Sequence, residues 1–165
     1  MIVLAFVLRE VLSLDVHTRQ QRSHNMAAIK SNWTKPEKEV AAWLKNQRIL
    51  FESHVSGLPG RPDFVFPGDK VALLIHGCFW HGHDCPLFVW PKTRQKFWSA
   101  KIMGNRIRDT KVRRELRDLG WKVEVIWECQ LKANADHWLL RFVDRFGLEA
   151  TIAKRSFYLQ PLFQN

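Results

Sequence analysis

The chain has 165 residues, of which 46% are hydrophobic and 25% charged, and these values are typical of one soluble globular domain. No stretch is long and apolar enough to span a membrane, which excludes a membrane-embedded protein. The 26 Lys and Arg residues against 16 Asp and Glu give a net charge of +10, which predicts a polyanionic partner.

The beginning of the chain predicts an extension followed by a basic arm. Residues 1–14 are apolar, but charged residues interrupt them and they lack a basic leading region and a small-residue cleavage site. We therefore interpret them as an N-terminal extension and not as a signal peptide. Residues 15–30 are polar and basic and include Arg19 and Arg22. They form either a solvated arm or an arm that lies along DNA.

The segment Thr34-Lys35-Pro36-Glu37 predicts the start of the first helix. It has the pattern of a capping box, in which Thr34 is the N-cap and Glu37 reaches back to the N-cap amide. This role is a complete structural explanation for Glu37. One face of the helix carries Val40, Trp43, Leu44 and Gln47.

Short strands follow the first helix, and one of them contains an unexpected carboxylate. Strands are predicted over residues 49–55, 62–66 and 71–75, and a hairpin turn over residues 67–70 joins the last two. Antiparallel pairing would bring Asp63 beside Ile75 and His76. An unpaired carboxylate on such an apolar strand is costly to bury, and a metal ion would offset that cost.

Metal-ligand residues are concentrated directly after the third strand, between His76 and Cys85. Cys78, His83 and Cys85 supply three ligands from one turn, and structural zinc needs four. Cys129 is the only other cysteine, so a closed Cys3His site uses every cysteine in the chain. By spacing alone His81 could replace His83. The alternative is free thiols beside solvated histidines, but the clustering of these ligands beside a glycine favours a metal site. Three cysteines in a metal-binding arrangement also indicate a protein of the reducing cytoplasm.

Residues 93–119 predict a long basic helix, with Thr93 as a candidate N-cap and Gly120 as the stop. Gly104-Asn105 is a candidate break. From Lys92 to Arg117 the chain carries ten Lys or Arg residues and two acidic residues, a net charge of +8. Solvated helices usually interleave the two signs, so we predict a phosphate-facing surface whose DNA binding weakens steeply with salt.

A further strand and helix are predicted over residues 121–127 and 135–146. The strand delivers Cys129 next to the other three ligands. The apolar face of the helix is explained as core by its spacing and contains Trp138, Leu139, Phe142, Val143 and Phe146. Since the predicted helices and strands end at residue 146, we predict one folded domain over residues 15–147 and a C-terminal tail over residues 148–165.

Three motifs in this chain resemble those of the Vsr family, the DNA mismatch endonucleases of very-short-patch repair. In chain order they are Leu58-Pro59-Gly60-Arg61-Pro62-Asp63-Phe64, Ile75 to Cys85, and Trp127-Glu128-Cys129. The resemblance runs from about Asp15 to about Cys129, which is most of the chain. The order of predicted elements also fits a restriction-endonuclease-like α/β core, with a mixed central sheet flanked by helices and, here, a structural zinc site.

The resemblance implies roles for the histidines that chemistry alone does not divide between two sites. It implies that Asp63 and the backbone carbonyl of Ile75 bind catalytic Mg²⁺. It implies that His81 is the general base, that His76 is positioned on metal-bound water, and that His83 binds zinc. The alternative is that His76 and His81 merely flank or bind the zinc.

The resemblance also bears on Glu37 and on the reaction type. The matching glutamate of the family lies near the active-site metals, a role that helix capping does not exclude. Related cores carry an acidic residue and, two positions on, a lysine in the strand after the Pro-Asp pair. Both are missing here, so a lysine-based mechanism is not expected.

Aromatic and basic residues are the candidate DNA contacts. Phe79 and Trp80 either pack around the zinc or form a wedge that enters the base stack. Trp98 resembles a third wedge residue. The basic candidates, two of them in the arm, are Arg19, Arg22, Lys92, Arg94 and Lys96.

The sequence thus predicts a Mg²⁺-dependent, zinc-containing endonuclease that nicks one strand 5′ to the T of a T:G mismatch formed by deamination of 5-methylcytosine. Its predicted partner is duplex DNA that contains a T:G mismatch, and its predicted location is the bacterial cytoplasm, at the nucleoid. A MutL-type mismatch-repair protein is a further candidate partner. We expect a monomer, because one mismatch offers no two-fold symmetry. The alternatives are a restriction-type or nicking endonuclease without mismatch preference, and a non-catalytic zinc-stabilised DNA-binding module.

Overall fold

The computed structural model describes residue 20 and residues 32–148 of the chain. The helices over residues 32–148 are α1 (Lys35–Asn46), α2 (Cys78–His81), α3 (Gln95–Asp118) and α4 (Glu128–Phe146). The strands over the same residues are β1 (Glu52–Ser53), β2 (Phe64–Phe66), β3 (Val71–His76) and β4 (Lys122–Trp127). The predicted extension, arm and tail lie almost entirely outside the described residues.

The strands form one mixed sheet in the order β1-β2-β3-β4. β1 and β3 both pair antiparallel with β2, whereas β3 and β4 are parallel because α3 crosses between them. The central strand β3 is almost entirely buried, which explains its continuous apolar sequence. The predicted mixed α/β core with flanking helices is confirmed.

Two buried clusters lie on opposite faces of the sheet. On one face, α1 and α4 cover the strands with Val40, Leu44 and Leu139, which are fully buried. On the other face, Leu116 of α3 packs against Val65 and the strands. Fixing β3 between two layers fixes the position of its C-terminal end, where the ligand-rich turn begins. Leu148, the first residue of the predicted tail, is also buried in the first cluster.

The start of α1 differs from the predicted capping box. Thr34 is the N-cap residue, but its hydroxyl donates a hydrogen bond to Oε1 of Glu37 (2.7 Å) and does not cap a backbone amide. Oε2 of Glu37 accepts the N–H of Trp33 (2.6 Å), one residue before the N-cap. Glu37 is 3% exposed, so its carboxylate points into the protein and not along the helix surface.

The two later helices also begin at residues that the sequence pattern did not indicate. α3 starts after Arg94 and runs unbroken through Gly104-Asn105, because a glycine costs a helix only about 1 kcal/mol. α4 begins directly at Glu128, so Cys129 lies in its first turn and does not end a strand. Asn134, with φ of −169°, kinks α4 just before the predicted start of that helix.

Among the described residues no helix combines the length and the apolar character that a bilayer crossing requires.

Candidate active site

The ends of β3 and β4 bring the four predicted zinc ligands together. His76 and Trp127 are paired in the parallel register, so α2 and α4 begin side by side. The donor atoms of Cys78, His83, Cys85 and Cys129 all lie within 4.8 Å of one another. All three cysteines are free thiols.

The chemistry of this cluster fits a tetrahedral metal. Three sulfurs and one imidazole nitrogen are a ligand set of structural zinc sites. Burial raises the pKa of the Cys78 thiol to about 12, so a thiolate at this position needs a cation beside it. The ring of His83 stacks on Trp127, with centroids 4.0 Å apart, and this fixes the imidazole toward the sulfurs. The cluster can therefore hold a metal ion, and His83, not His81, is the histidine that joins it.

Helix α3 holds the ligand-bearing turn in place. Gly82 reverses the chain with φ of +59°, and a Cβ there would lie 2.8 Å from Nη2 of Arg106. Arg106 donates hydrogen bonds to the carbonyls of His81 (3.0 Å) and Gly82. The amide of Asn105 donates to the carbonyl of Trp80 (2.6 Å). Asn105 and Arg106 of the basic helix therefore support the turn, a role different from the phosphate contact that the sequence predicted for this helix.

The other two histidines of the turn form a separate cluster. The rings of His76 and His81 are stacked, 3.9 Å apart and nearly parallel. Nδ1 of His81 lies 2.5 Å from Oδ2 of Asp109 on α3. Burial, together with the neighbouring His81, lowers the pKa of His76 to about 3, so this ring is neutral at physiological pH.

Asp109 was missed by the sequence analysis. Burial alone would raise its pKa, but the hydrogen bond from His81 and the charge of that ring lower it below the usual value. Asp109 is therefore an anion that can hold His81 in one tautomer. The sequence signal was weak: Asp109 is one of two acidic residues in a strongly basic stretch.

A third cluster contains Asp63, which lines the same cleft as His81 and Asp109. Oδ2 of Asp63 accepts the N–H of Ile75 (2.6 Å), which confirms the predicted contact between the neighbouring strands. Glu37 and His54 complete the cluster, with donor atoms within 4.8 Å of those of Asp63. Burial raises the pKa of Asp63 to about 7; the Ile75 hydrogen bond opposes this increase and the charge of Glu37 adds to it. His54 was not singled out by the sequence analysis.

Glu37 and Asp63 of the third cluster and His76, His81 and Asp109 of the second line one open cleft of about 560 Å³. The backbone of Ile75 and the ring of Trp80 also belong to its lining. Cationic side chains also reach the cleft: Arg61, Lys101 and Arg108. The basic side chains of this lining can attract the phosphate groups of DNA, and its carboxylates can bind a divalent cation.

The predicted wedge residues lie together, and one of them, Trp80, lines the cleft. Phe79 contacts Trp80 and Trp98 edge to face, at centroid distances of 5.2 and 5.0 Å. All three rings are half-buried, so one surface of the cluster faces solvent. Phe88 extends the cluster, 6.4 Å from Phe79.

The predicted basic DNA contacts fall into two groups. Lys92, Arg94 and Lys96 are exposed around the start of α3, near the aromatic cluster. The guanidinium of Arg94 lies over the ring of Phe97, 4.5 Å from its centroid. Arg19 and Arg22 lie outside the described residues.

Comparison with known proteins identifies the family. The family model of the DNA mismatch endonuclease Vsr matches residues 14–87. The chain is also 45% identical over 120 residues to the DNA mismatch endonuclease Vsr of Escherichia coli (strain K12), covering 73% of this chain and 77% of that protein. This chain belongs to the Vsr family.

Other relatives in the Vsr family are named as nicking enzymes. The type II nicking enzyme V.XorIIP of Xanthomonas oryzae pv. oryzae is 43% identical over 112 residues, which cover 68% of this chain and 82% of that protein. V.NmeAIP of Neisseria meningitidis is 41% identical over 121 residues, 73% of this chain and 86% of that protein. Membership of the Vsr family supports the predicted restriction-endonuclease-like core and an endonuclease activity.

Proposed function

We propose that this protein is a Mg²⁺-dependent DNA endonuclease that nicks one strand 5′ to the T of a T:G mismatch and so starts very-short-patch repair. One observation carries this proposal: the carboxylates of Glu37 and Asp63 and the His81–Asp109 pair line one cleft together with Arg61, Lys101, Arg108 and the ring of Trp80. Hydrolysis of a phosphodiester needs these components in one place.

His81 is the proposed general base. In the proposed tautomer the N–H at Nδ1 donates a hydrogen bond to Asp109. Nε2 then carries the lone pair that can accept a proton from the attacking water. Asp109 fixes the ring and stabilises the imidazolium that forms. His76, held neutral against the same ring, orients the water by hydrogen bonding without adding a repelling charge.

Asp63 and the backbone carbonyl of Ile75 are the proposed Mg²⁺ ligands, with Glu37 close by. The ion would offset the negative charge that develops on the phosphate. The raised pKa of Asp63 supports this role, because a carboxylate that is costly to ionise alone gains most from a bound cation. Zn²⁺ is the proposed structural ion of the Cys3His cluster.

Asp109→Asn is expected to lower kcat roughly 10²- to 10⁴-fold with little change in DNA affinity. The new amide can donate to Nδ1 of His81 and would favour the tautomer that carries a proton on Nε2, the wrong one for a base. Single-turnover nicking and equilibrium DNA binding measure the two effects. Glu115→Gln removes the same charge from the same helix and should leave nicking within about twofold; equal losses in both variants would remove Asp109 from the mechanism.

Phe79, Trp80 and Trp98 are the proposed wedge. Unstacking a duplex costs least at a mispair, so inserted rings favour a mismatch without a full set of base contacts. The edge-to-face packing of Phe79 on both tryptophans, the partial exposure of the three rings and the place of Trp80 in the cleft lining support this role. The packing alternative is less favoured, because Trp127 already supplies the aromatic wall of the zinc-type cluster.

The double variant Phe79→Ala, Trp80→Ala is expected to erase the preference for mismatched over paired duplex, lowering the ratio of nicking rates to about one. The ratio is measured on otherwise identical duplexes. Trp138→Ala removes a half-buried indole from α4, whose ring contacts His137 and Arg141, and is the matched control. A double variant that keeps the wild-type ratio would assign these rings to packing.

A pair of labelled duplexes tests the proposed function directly. They differ by a single T:G in place of C:G, each strand is labelled separately, and Mg²⁺ is added or omitted. A Mg²⁺-dependent nick in the T strand alone, 5′ to the mispaired T, is the expected result. Intact DNA across a panel of randomised flanking sequences, with binding retained, would contradict an endonuclease function.

A second candidate function is nicking without mismatch preference. Relatives named as type II nicking enzymes are the reason to test it, because their names state nicking and mention no mismatch. Equal cutting of the T:G and C:G duplexes would establish this alternative. For the proposed repair reaction we place the protein with the bacterial chromosome in the cytoplasm, as a monomer, and a contact with a MutL-type protein stays a prediction.

A further inference from the structure

The cluster of Glu37, His54 and Asp63 contains a nitrogen donor that the proposed reaction does not use. These residues come from the first turn of α1, the end of β1 and the start of β2, yet their donor atoms lie within 4.8 Å of one another. The side chain of His54 is nine-tenths buried, with 10% of its surface exposed. Its Nε2 is buried and makes no hydrogen bond within the part of the chain that the structure describes.

The backbone fixes the position of His54. Its φ is +51°, a left-handed conformation that costs a residue with a Cβ about 1 kcal/mol or more. Its N–H donates to the carbonyl of Pro62 (3.1 Å), which ties it to the segment that carries Asp63. The ring packs edge to face on Trp33, with centroids 5.2 Å apart. His54 is therefore held beside the carboxylates, with Nε2 3.4 Å from Oε2 of Glu37.

The carboxylates already have other partners on their outer sides. Both oxygens of Glu37 accept hydrogen bonds, from Trp33 N–H and the Thr34 hydroxyl, and Asp63 accepts one from Ile75. Their remaining lone pairs and Nε2 of His54 converge on the same small space. A direct hydrogen bond between His54 and Glu37 would require a shorter and better aligned contact than 3.4 Å. A cation between the three groups satisfies all of them.

We propose that Glu37, His54 and Asp63 form a mixed nitrogen–oxygen site for one divalent cation, in which His54 makes the site prefer Mn²⁺ over Mg²⁺. Mg²⁺ selects oxygen ligands, whereas an imidazole nitrogen suits first-row transition ions. The inference rests on the proposed function only in sharing Asp63 as a ligand. It adds a metal ligand and a metal preference to that site.

The test measures metal binding without DNA, on protein whose structural metal is retained. Mn²⁺ and Mg²⁺ are titrated by calorimetry, and Mn²⁺ bound at one equivalent is examined by pulsed EPR for coupling to an imidazole ¹⁴N nucleus. The variant is His54→Asn, because asparagine tolerates the left-handed conformation and removes only the ring nitrogen. His137→Asn, at an exposed position on α4, is the matched control.

The wild-type protein should bind Mn²⁺ at least about tenfold more tightly than Mg²⁺ and should show the ¹⁴N coupling. His54→Asn should lose the coupling and weaken Mn²⁺ binding about 10- to 100-fold, while Mg²⁺ binding changes less than about threefold. Absence of the coupling in the wild-type protein, or its persistence in His54→Asn, would overturn the inference. So would an equal loss of affinity for both ions.

These outcomes are separable from failure of the proposed function. Nicking with Mg²⁺ in a protein that shows no ¹⁴N coupling would leave the endonuclease and discard His54 as a ligand. A Mn²⁺ site with the coupling, in a protein that cuts no DNA, would leave the metal site and discard the reaction. Circular dichroism of His54→Asn checks that the fold is retained. A second substitution, His54→Gln, should show the same loss of coupling.

Discussion

Asp63→Asn is expected to abolish nicking, by roughly 10³-fold or more, while the protein stays folded and binds DNA. Asp63 is the carboxylate placed between β2 and the end of β3, where it is fixed by the N–H of Ile75 (2.6 Å). An amide can still accept that hydrogen bond but carries no charge with which to hold a divalent cation beside a phosphate. Single-turnover nicking of a T:G duplex measures the loss.

The same variant should be more stable than the wild-type protein when no Mg²⁺ or Mn²⁺ is added. Burial raises the pKa of Asp63 from 3.8 to about 7. The folded state therefore binds this proton more tightly than the unfolded state, and the resulting stability is full below pH 4 and lost as pH rises through 7. The substituted amide has no proton to lose, so the advantage of the variant should grow across this range to on the order of 2–4 kcal/mol at pH 8.

This pairing of lost activity with gained stability separates a metal ligand from a folding defect. Asp118→Asn makes the same chemical change at an exposed position at the end of α3 and should alter neither quantity. Denaturant unfolding at pH 5 and pH 8, with the structural metal retained, provides the stability values. Retained nicking by Asp63→Asn would remove Asp63 from the mechanism. An inactive variant that is also less stable at pH 8 would show that Asp63 acts mainly in folding.

The sequence predicted the parts of the site that lie close together along the chain. The apolar run of β3 marked a buried strand, and the ligands crowded after it marked the metal-binding turn. The hairpin signal set the register between β2 and β3, and this register placed Asp63 against Ile75. Local patterns suffice here because the tight turn fixes the register of the two strands that it joins, and Asp63 and Ile75 are 12 residues apart.

The two missed residues reach their partners through contacts between helices and the sheet. Asp109 reaches His81 from the middle of α3, and His54 reaches Glu37 from the end of β1. Neither belongs to a periodic pattern or a short motif, and both contacts exist only after the helices pack on the sheet. The predicted capping box was wrong in its partners: Glu37 accepts the N–H of Trp33, one residue before the N-cap Thr34, and the Thr34 hydroxyl donates to Glu37 and caps no backbone amide.

Spacing also left His81 and His83 as equivalent zinc ligands, and tertiary structure separates them. The two residues lie on either side of Gly82, whose left-handed conformation sends their side chains in different directions. His83 stacks on Trp127 near the cysteines, whereas His81 turns toward Asp109. The spacing of ligands along the chain does not show this change of direction. At the level of sequence, only the resemblance to the Vsr family distinguished His83 as the zinc ligand from His81 as the base.

Cys129→Ser is expected to lose the structural metal and to unfold at a much lower temperature. Cys129 is the ligand contributed by α4, while the other three come from the turn after β3. Cys129 is 46 residues from His83 and 51 from Cys78 along the chain. The ion would therefore join two distant segments of the chain. A serine hydroxyl is a poor zinc ligand, and three remaining ligands leave the site open. Structural zinc binding contributes on the order of 10 kcal/mol in small zinc domains, so a loss of several kcal/mol is expected here.

Elemental analysis of the purified protein should give one zinc per wild-type chain and none in Cys129→Ser, and scanning calorimetry should show the lower unfolding temperature. The two histidines of the turn supply a matched pair for the same measurement. His83→Asn should lose zinc like Cys129→Ser, because its nitrogen lies 3.5 Å from Sγ of Cys129. His81→Asn should keep zinc and lose nicking, because His81 faces Asp109. Unchanged zinc in Cys129→Ser would refute the Cys3His site, and zinc lost from His81→Asn but kept in His83→Asn would exchange the roles of the two histidines.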